Sequence, residues 1–300
     1  MNILVFIVIA ILASCEKVND DLQTPEELLE RIKYEQVVPW GIELVGYQTS
    51  SSDSSVRVAI LDSGIYKEHE DLKGKIEKEF NAINPGQPVK DDYGHGTALA
   101  GIITANDNDV GIVGVTQNVE LYDVKVLNAE GKGSIQSLIS AIKWCMEEQV
   151  DLINISFGFQ SENKELERVI EQAMSQGILI VAAAGNTYGL GVDYPAQYTN
   201  VVSVNSIDIE LNRPTSAAKG KIDIVAPGVD IISTDNEGGY SLYTGTSFAT
   251  AYVTGILANI DNIKDSGVNT REVILYNGFE IVNLEYMEEV EYGIGLLKLN

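Results

Sequence analysis

Short runs of aliphatic and β-branched residues alternate along the chain with longer stretches whose apolar positions recur every three to four residues. The runs predict strands over 56–61, 119–126, 150–156, 178–183 and 201–206, and the longer period predicts helices over 95–105, 134–148, 164–176 and 247–262. In the third helix Leu166, Val169, Ile170, Ala173 and Met174 sit at i, i+3, i+4, i+7 and i+8, which makes one buried stripe. This alternation is the pattern of an α/β fold, a mostly parallel sheet with crossover helices. Gly185, Gly189, Gly191, Gly238 and Gly239 fall between elements, where loops build the functional face of an open sheet. Upstream, Thr24-Pro25-Glu26-Glu27 has capping-box spacing with proline at the first helical position, so a short helix through Leu28, Leu29 and Ile32 is expected. The run Ser50 to Ser55 reads as an exposed turn.

Three polar residues interrupt this pattern at element ends. Val56 to Leu61 stops at Asp62-Ser63-Gly64, which puts a carboxylate at the end of a central strand. His95, one of two histidines, opens a predicted helix between Gly94 and Gly96, and Ser247 opens another after Gly245-Thr246. Singly these read as a turn carboxylate, a core imidazole and a helix cap. Together they are the set that nucleophilic serine chemistry requires: a carboxylate orients the ring, the ring takes the hydroxyl proton, and the oxygen attacks. The helix start beneath Ser247 adds N–H groups and a dipole end for a developing oxyanion.

On these motifs, in the order Asp, His, Ser, the sequence resembles the subtilisin-family serine proteases (subtilases, peptidase family S8). The resemblance runs from about residue 36 to 300. It implies a three-layer fold with helices on both faces of the sheet, and a serine endopeptidase with Asp62, His95 and Ser247 as the triad. Asn186, after Ala183-Ala184-Gly185, matches the asparagine that completes the oxyanion hole, and those three residues are carried over as substrate-binding. Ser156-Phe157-Gly158 matches the edge segment that pairs with an extended peptide substrate. Tyr194-Pro195 matches the segment closing the S1 pocket, which places Asp193 at its base and implies cleavage after Lys or Arg. Asn106-Asp107-Asn108-Asp109-Val110-Gly111-Ile112 resembles the family's calcium loop, with Gln36, Asp71, Asn106, Asn108, Val110 and Ile112 as ligands of a structural Ca²⁺. The sequence departs from the family in having Ala98-Leu99 where His-Val is usual, Phe248 for methionine, and Ala251-Tyr252 for Pro-His. Its alternatives are a general degradative protease, a processing protease that removes leader peptides, and a catalytically silent peptide-binding relative.

Composition narrows the setting. Three hundred residues with 45% apolar content suit one catalytic domain, expected over 36–300 and acting as a monomer. A formal net charge of −24 excludes a basic nucleic-acid surface and suits a protein that takes up divalent metal. Residues 1–15 are uncharged, and Ile3 to Ala13 is an apolar run too short to span a bilayer, ending in the lipobox-like Leu12-Ala13-Ser14-Cys15. The expectation is export with lipid anchoring through Cys15, so that the membrane is met only there. A buried N-terminal helix, a misassigned start codon and a cytoplasmic location are the alternatives. Residues 16–35 then form an acidic tether or short propeptide, too short for a folded pro-domain. Cys145 reads as a small buried hydrophobe.

Overall fold

A computed structural model describes residues 24–48, 55–259, 280–282 and 288–299. The lipobox-like segment, most of the Ser50 to Ser55 run and positions 260–262 of the last predicted helix lie outside these residues.

Among the described residues, nine strands form one sheet. They are β1 (Val56–Asp62), β2 (Ile76–Asn81), β3 (Val119–Lys125), β4 (Leu152–Ile155), β5 (Leu179–Ala183), β6 (Val202–Ile207), β7 (Ile224–Pro227), and two late edge strands, Glu280–Val282 and Leu296–Lys298. From one edge the order is Glu280–Val282, Leu296–Lys298, β7, β6, β5, β4, β1, β3, β2. Every pairing is parallel except that between the two late strands. The central strands β4, β5 and β6 are buried at every position, as expected of parallel strands covered on both faces. A separate antiparallel hairpin pairs β8 (Ile231–Thr234) with β9 (Tyr240–Tyr243).

Among the described residues up to 259, six helices accompany the strands: α1 (Pro25–Arg31), α2 (Trp40–Val45), α3 (His95–Thr104), α4 (Ile135–Glu147), α5 (Lys164–Ser175) and α6 (Thr246–Leu257). A further short helix spans Glu289–Tyr292. Helix α3 packs on α6, and α4 on α5, so the fold is a three-layer α/β architecture. The stripe predicted on α5 is buried at all five positions. Helix α6 is buried at every residue, and it stops earlier than the apolar run suggests. Asn259 turns its amide back onto the Gly255 carbonyl at 2.9 Å, which satisfies an acceptor that the ending helix leaves free.

Within residues 24–35 a capped helix leads to a buried contact. Thr24 and Glu27 make the reciprocal capping-box bonds, and Ile32 is buried with Val37, Ala105, Ile112 and Ile232 in a small apolar cluster of its own. Cys145 is fully buried, and burial pushes its thiol pKa far up, so it is an inert core residue. Among the described residues no helix is long and apolar enough to cross a membrane.

Topology places the functional face. The backbone leaves β1 toward β2 and β3 on one side and returns to β4 on the other, so the strand order reverses around β1. At such a switch point the carboxyl ends of the strands open a crevice. Asp62 ends β1, Ser156 follows β4, and Asn186 follows β5 by three residues.

Candidate active site

Asp62 is 1% exposed at the end of β1, and its two carboxylate oxygens lie 2.9 and 3.0 Å from His95 Nδ1. That contact depends on how closely α3 approaches the β1 end. A Cβ on Gly96 would stand 2.3 Å from the Gly64 carbonyl oxygen, so only glycine lets the first turn of α3 reach the carboxylate. Gly94 caps that helix at φ 93°, a left-handed conformation that glycine adopts without strain. With the proton held at Nδ1 by Asp62, Nε2 is left as the basic nitrogen.

The ring's basicity is set by competing effects. Desolvation lowers the His95 pKa, while the Asp62 charge and hydrogen bond, with Asp91 behind them, raise it by more. The result lies above the ordinary imidazole value. Phe248 packs edge-on against the ring at 5.3 Å between centroids and limits its tilt.

Ser247 is the second residue of α6 and is 8% exposed. Its hydroxyl donates to the Ser156 carbonyl at 2.7 Å, while the Ser156 hydroxyl donates to the Ser247 carbonyl at 3.1 Å. The pair locks the start of α6 to the end of β4. In this geometry the Ser247 hydroxyl donates to the Ser156 carbonyl. Asn186 reaches the same spot from β5: its Oδ1 accepts the Thr246 N–H at 3.3 Å, and its Nδ2 is close enough that a Cβ on Gly245 would sit 3.1 Å away. Gly245 has φ 152°, which also favours glycine. The exposed Asn186 amide thus stands beside the start of α6.

The residues expected to bind substrate fall into two groups. Phe157 is half-buried, and Gly158 is exposed along the segment after β4. Phe159 exchanges backbone hydrogen bonds with Tyr194, at 2.7 and 2.8 Å. Asp193 is fastened just before, its N–H donating to the Ala184 carbonyl at 2.9 Å. A Cβ on Gly158 would lie 2.6 Å from Asp193 Cβ, and one on Gly185 would lie 2.5 Å from Asp193 Oδ2. The carboxylate thus occupies a slot between the two segments whose walls are glycines. Burial alone pushes its pKa up, and among the described residues no donor or cation is paired with it. The second group faces inward: Ala183 and Ala184 are buried, and the Ser156 hydroxyl is held between Asn154 and the Ser247 carbonyl. Their side chains shape the site from behind.

The six residues expected around calcium come together. Gln36 Nε2 lies 2.9 Å from the Asn106 carbonyl and 3.3 Å from that of Ile112. Asp71 takes the Ile112 N–H at 3.0 Å and lies 3.3 Å from Asn108 Nδ2, while Asn108 Oδ1 accepts the Val110 N–H. Asp71 is fully buried, and burial raises its pKa against the hydrogen bonds from Ile112, Tyr240 and Asn108. Among the described residues no lysine or arginine is paired with it, nor is there any cluster of three or more His, Cys, Asp or Glu suited to a metal. The donor set is one carboxylate, two side-chain amides and backbone carbonyls, all able to present hard oxygen once the two amides rotate by half a turn. That composition fits Ca²⁺.

Sequence reasoning missed two supports. Asp91 accepts from the Ser63 hydroxyl at 2.8 Å, from the Gly94 N–H at 2.7 Å and from Thr97, so it holds the turn that delivers His95. An aspartate three residues ahead of a glycine at a helix start is a turn signal that could have marked it. The Lys125 ammonium, 7% exposed, donates to the Ser63 carbonyl behind Asp62 and left no pattern to find in its strand.

A parallel α/β sheet that carries Asp, His and Ser at its switch point defines a serine-hydrolase scaffold. The family model for subtilases matches residues 53–275, and the protein belongs to that family. It is 39% identical over 268 residues to alkaline elastase YaB from Bacillus sp. (strain YaB), covering 87% of this sequence and 69% of the relative. It is 38% identical over 242 residues to subtilisin BL from Lederbergia lenta, covering 79% and 88%. The alkaline protease of Alkalihalobacillus alcalophilus is 38% identical over 252 residues, 82% of this sequence and 65% of that one. By class the protein is a subtilisin-like serine protease, and its ligands are peptides or proteins.

Proposed function

We propose that this protein is an endopeptidase that cuts after lysine or arginine, with Ser247 as nucleophile, His95 as general base and Asp62 orienting the ring. Substrate binding displaces the Ser247 hydroxyl from the Ser156 carbonyl, and its proton passes to His95 Nε2 as Oγ attacks the scissile carbonyl. Asn186 Nδ2 and the Ser247 N–H receive the oxyanion. The imidazolium then protonates the leaving amine, and water repeats the sequence on the acyl-enzyme.

The observation that carries the P1 assignment is the Asp193 carboxylate, half-buried between Gly158 and Gly185 with no partner among the described residues. A cationic side chain entering the slot would supply the missing partner, bidentate for arginine. Leaving one member of a desolvated pair alone costs about 2–5 kcal/mol, which is roughly 30-fold to several thousand-fold in kcat/KM. The test compares matched peptides with Arg, Lys, Phe or Leu at P1 on the wild type and on Asp193→Gly. Arg and Lys lead on the wild type and lose their lead in the variant; a wild type that prefers Phe or Leu ends the assignment. Confinement to basic sites favours a processing role, such as leader removal, over bulk digestion.

Two further parts of this reading concern setting. Gln36, Asp71, Asn108 and the carbonyls of Asn106, Val110 and Ile112 hold Ca²⁺, which supplies the positive charge that buried Asp71 lacks. Excess EDTA then lowers the melting temperature, and an unchanged value removes the site. Residues 1–15 direct export, with a lipid on Cys15, residues 16–35 as the segment between anchor and enzyme, and 36–300 as a monomeric catalytic domain. Cys15→Ser releases the protein from the membrane fraction, whereas wild type found in the cytosol with Met1 intact refutes export.

A further inference from the structure

A cleft of about 700 Å³ opens beside the triad, lined by His95, Asn186 and Ser247 on one side and by the β8–β9 hairpin and the residues after it on the other. None of Ser156, Phe157, Gly158 or Asp193 lines it. It is therefore the half of the site opposite the Asp193 slot. His95 delivers its proton to the departing amine, so the substrate residues that follow the scissile bond must lie in this half.

Its charge is one-sided. Apart from His95, the groups lining it that carry charge at neutral pH are, among the described residues, Asp235 and Glu237, both carboxylates. They differ in role. Asp235 accepts the Glu237 N–H at 2.9 Å, the Gly239 N–H at 2.8 Å and the Ser241 hydroxyl at 3.2 Å, which spends its oxygens on holding the hairpin turn. Glu237 is exposed, and among the described residues its carboxylate makes no hydrogen bond or ion pair. The turn carrying it is anchored to the triad, because Asn236 Nδ2 donates to the Asp91 carbonyl at 3.1 Å and Asn236 Oδ1 lies where a Cβ on Gly94 would be 3.0 Å away. Glu237 is thus an unengaged charge on a rigid turn next to the residue that precedes His95.

We propose that Glu237 is a specificity-determining residue for the leaving-group side, selecting a lysine or arginine within the first two positions after the scissile bond. With Asp193 on the acyl side, the preferred substrate is a peptide with basic residues on both sides of the cut. The Glu237 assignment rests on the family chemistry at Ser247 and is independent of the P1 assignment.

The test isolates the leaving-group side by running it in reverse. An ester substrate acylates Ser247, and added amino-acid amides compete with water for the acyl-enzyme. The α-amine nitrogen attacks the ester carbonyl, the new C–N bond forms as the C–O bond to Ser247 breaks, and His95 carries the amine proton to the serine oxygen. Arginine amide, lysine amide and the dipeptide Gly-Arg amide are compared with leucine amide and Gly-Leu amide, using acyl donors with Arg and with Phe at P1. The expected result is partition to the better basic nucleophile about 2- to 5-fold above its leucine counterpart, the range an exposed ion pair contributes. The preference is the same for both donors, shrinks in about 0.5 M salt by screening, and falls to near parity in Glu237→Gln. Equal partition in the wild type, a preference insensitive to salt, or one that survives Glu237→Gln overturns the proposal. Should the variant fail to fold, as active-site titration would reveal, the salt series on the wild type still decides. Absence of any acyl-enzyme would instead overturn the Ser247 chemistry, and a Phe donor acylating faster than Arg would overturn only the Asp193 assignment.

Discussion

Lys221→Met removes an ammonium that the fold treats as a fixed internal cation. Lys221 Nζ donates to the Ala196 carbonyl at 3.1 Å, to the Val201 carbonyl, and to Asp223 Oδ2 at 2.7 Å. Asp223 Oδ2 also accepts the Ser203 N–H, so the same carboxylate pins the start of β6. The stretch from Ala196 to Val201 begins three residues after Asp193, which makes this ammonium the anchor of the segment that leads out of the proposed P1 slot. Desolvation lowers the Lys221 pKa and the Asp223 charge opposes it, so the pair is partly withdrawn from water. Methionine fills comparable volume and leaves two carbonyls and a carboxylate without their donor. Breaking a buried pair on one side costs about 3–5 kcal/mol; with the Lys221 and Asp223 side chains 22% and 29% exposed, we take the lower end, about 3 kcal/mol. For a protein of this size that is roughly 6–12 °C in the unfolding midpoint. Scanning calorimetry at one fixed rate measures it, since proteases of this kind report kinetic as well as equilibrium stability. A midpoint within about 1 °C of wild type would mean the ammonium is dispensable, and the anchoring argument would fall.

Three other outcomes follow from particular groups. Because the His95 pKa lies above the ordinary 6.5, kcat/KM should rise with pH as the imidazolium deprotonates, with a midpoint above 6.5; a lower midpoint would contradict the net effect of Asp62 and Asp91. Burial lowers the Lys75 pKa from 10.5 to about 8. The unfolded state therefore binds more protons between these values, and stability from this group grows as pH rises through that window, by at most about 3 kcal/mol given its partial exposure. Lys75→Met should flatten that rise in denaturant melts at pH 7.5 and 10, and an unchanged slope would exclude Lys75 as its source. Tyr252 is fully buried and, among the described residues, its hydroxyl has no partner; it is pressed where a Cβ on Gly41 would be 2.3 Å away. Tyr252→Phe should raise stability by about 1–2 kcal/mol, and a loss would show that the hydroxyl has a partner in solution.

Much of this was legible before the structure because the two signals that encode it are local. Buried parallel strands such as Leu179–Ala183 read as unbroken apolar runs, and α5 reads as a single stripe, since both faces of the sheet are covered and the helix is not. Strand β2 escaped because it is the sheet edge: Glu77, Lys78 and Glu79 are exposed in succession, and no alternation survives. Strands β8 and β9 carry Ser or Thr among their four positions and β7 ends in Pro227, so no apolar run marked them. The triad was visible because each member interrupts an apolar element at its end. Asp91 carried only a turn signal ahead of Gly94, and Lys125 carried none, because their contacts with Ser63 are ones that only folding creates. The inward turn of the Ser156 hydroxyl belongs to the same class: nothing in Ile155-Ser156-Phe157 tells which atom faces the cleft. Tyr252, in place of the usual histidine, could be seen as a departure, but its lack of a partner among the described residues could not.

The central claim is that Ser247 is activated by His95 held on Asp62. A fluorophosphonate probe followed by peptide mass spectrometry tests it most directly, on wild type, Ser247→Ala and His95→Ala. The account predicts one label per molecule on Ser247 in the wild type, none in Ser247→Ala, and labelling slowed by orders of magnitude in His95→Ala. Folded wild type that takes no label, or that takes it at another residue, would contradict it.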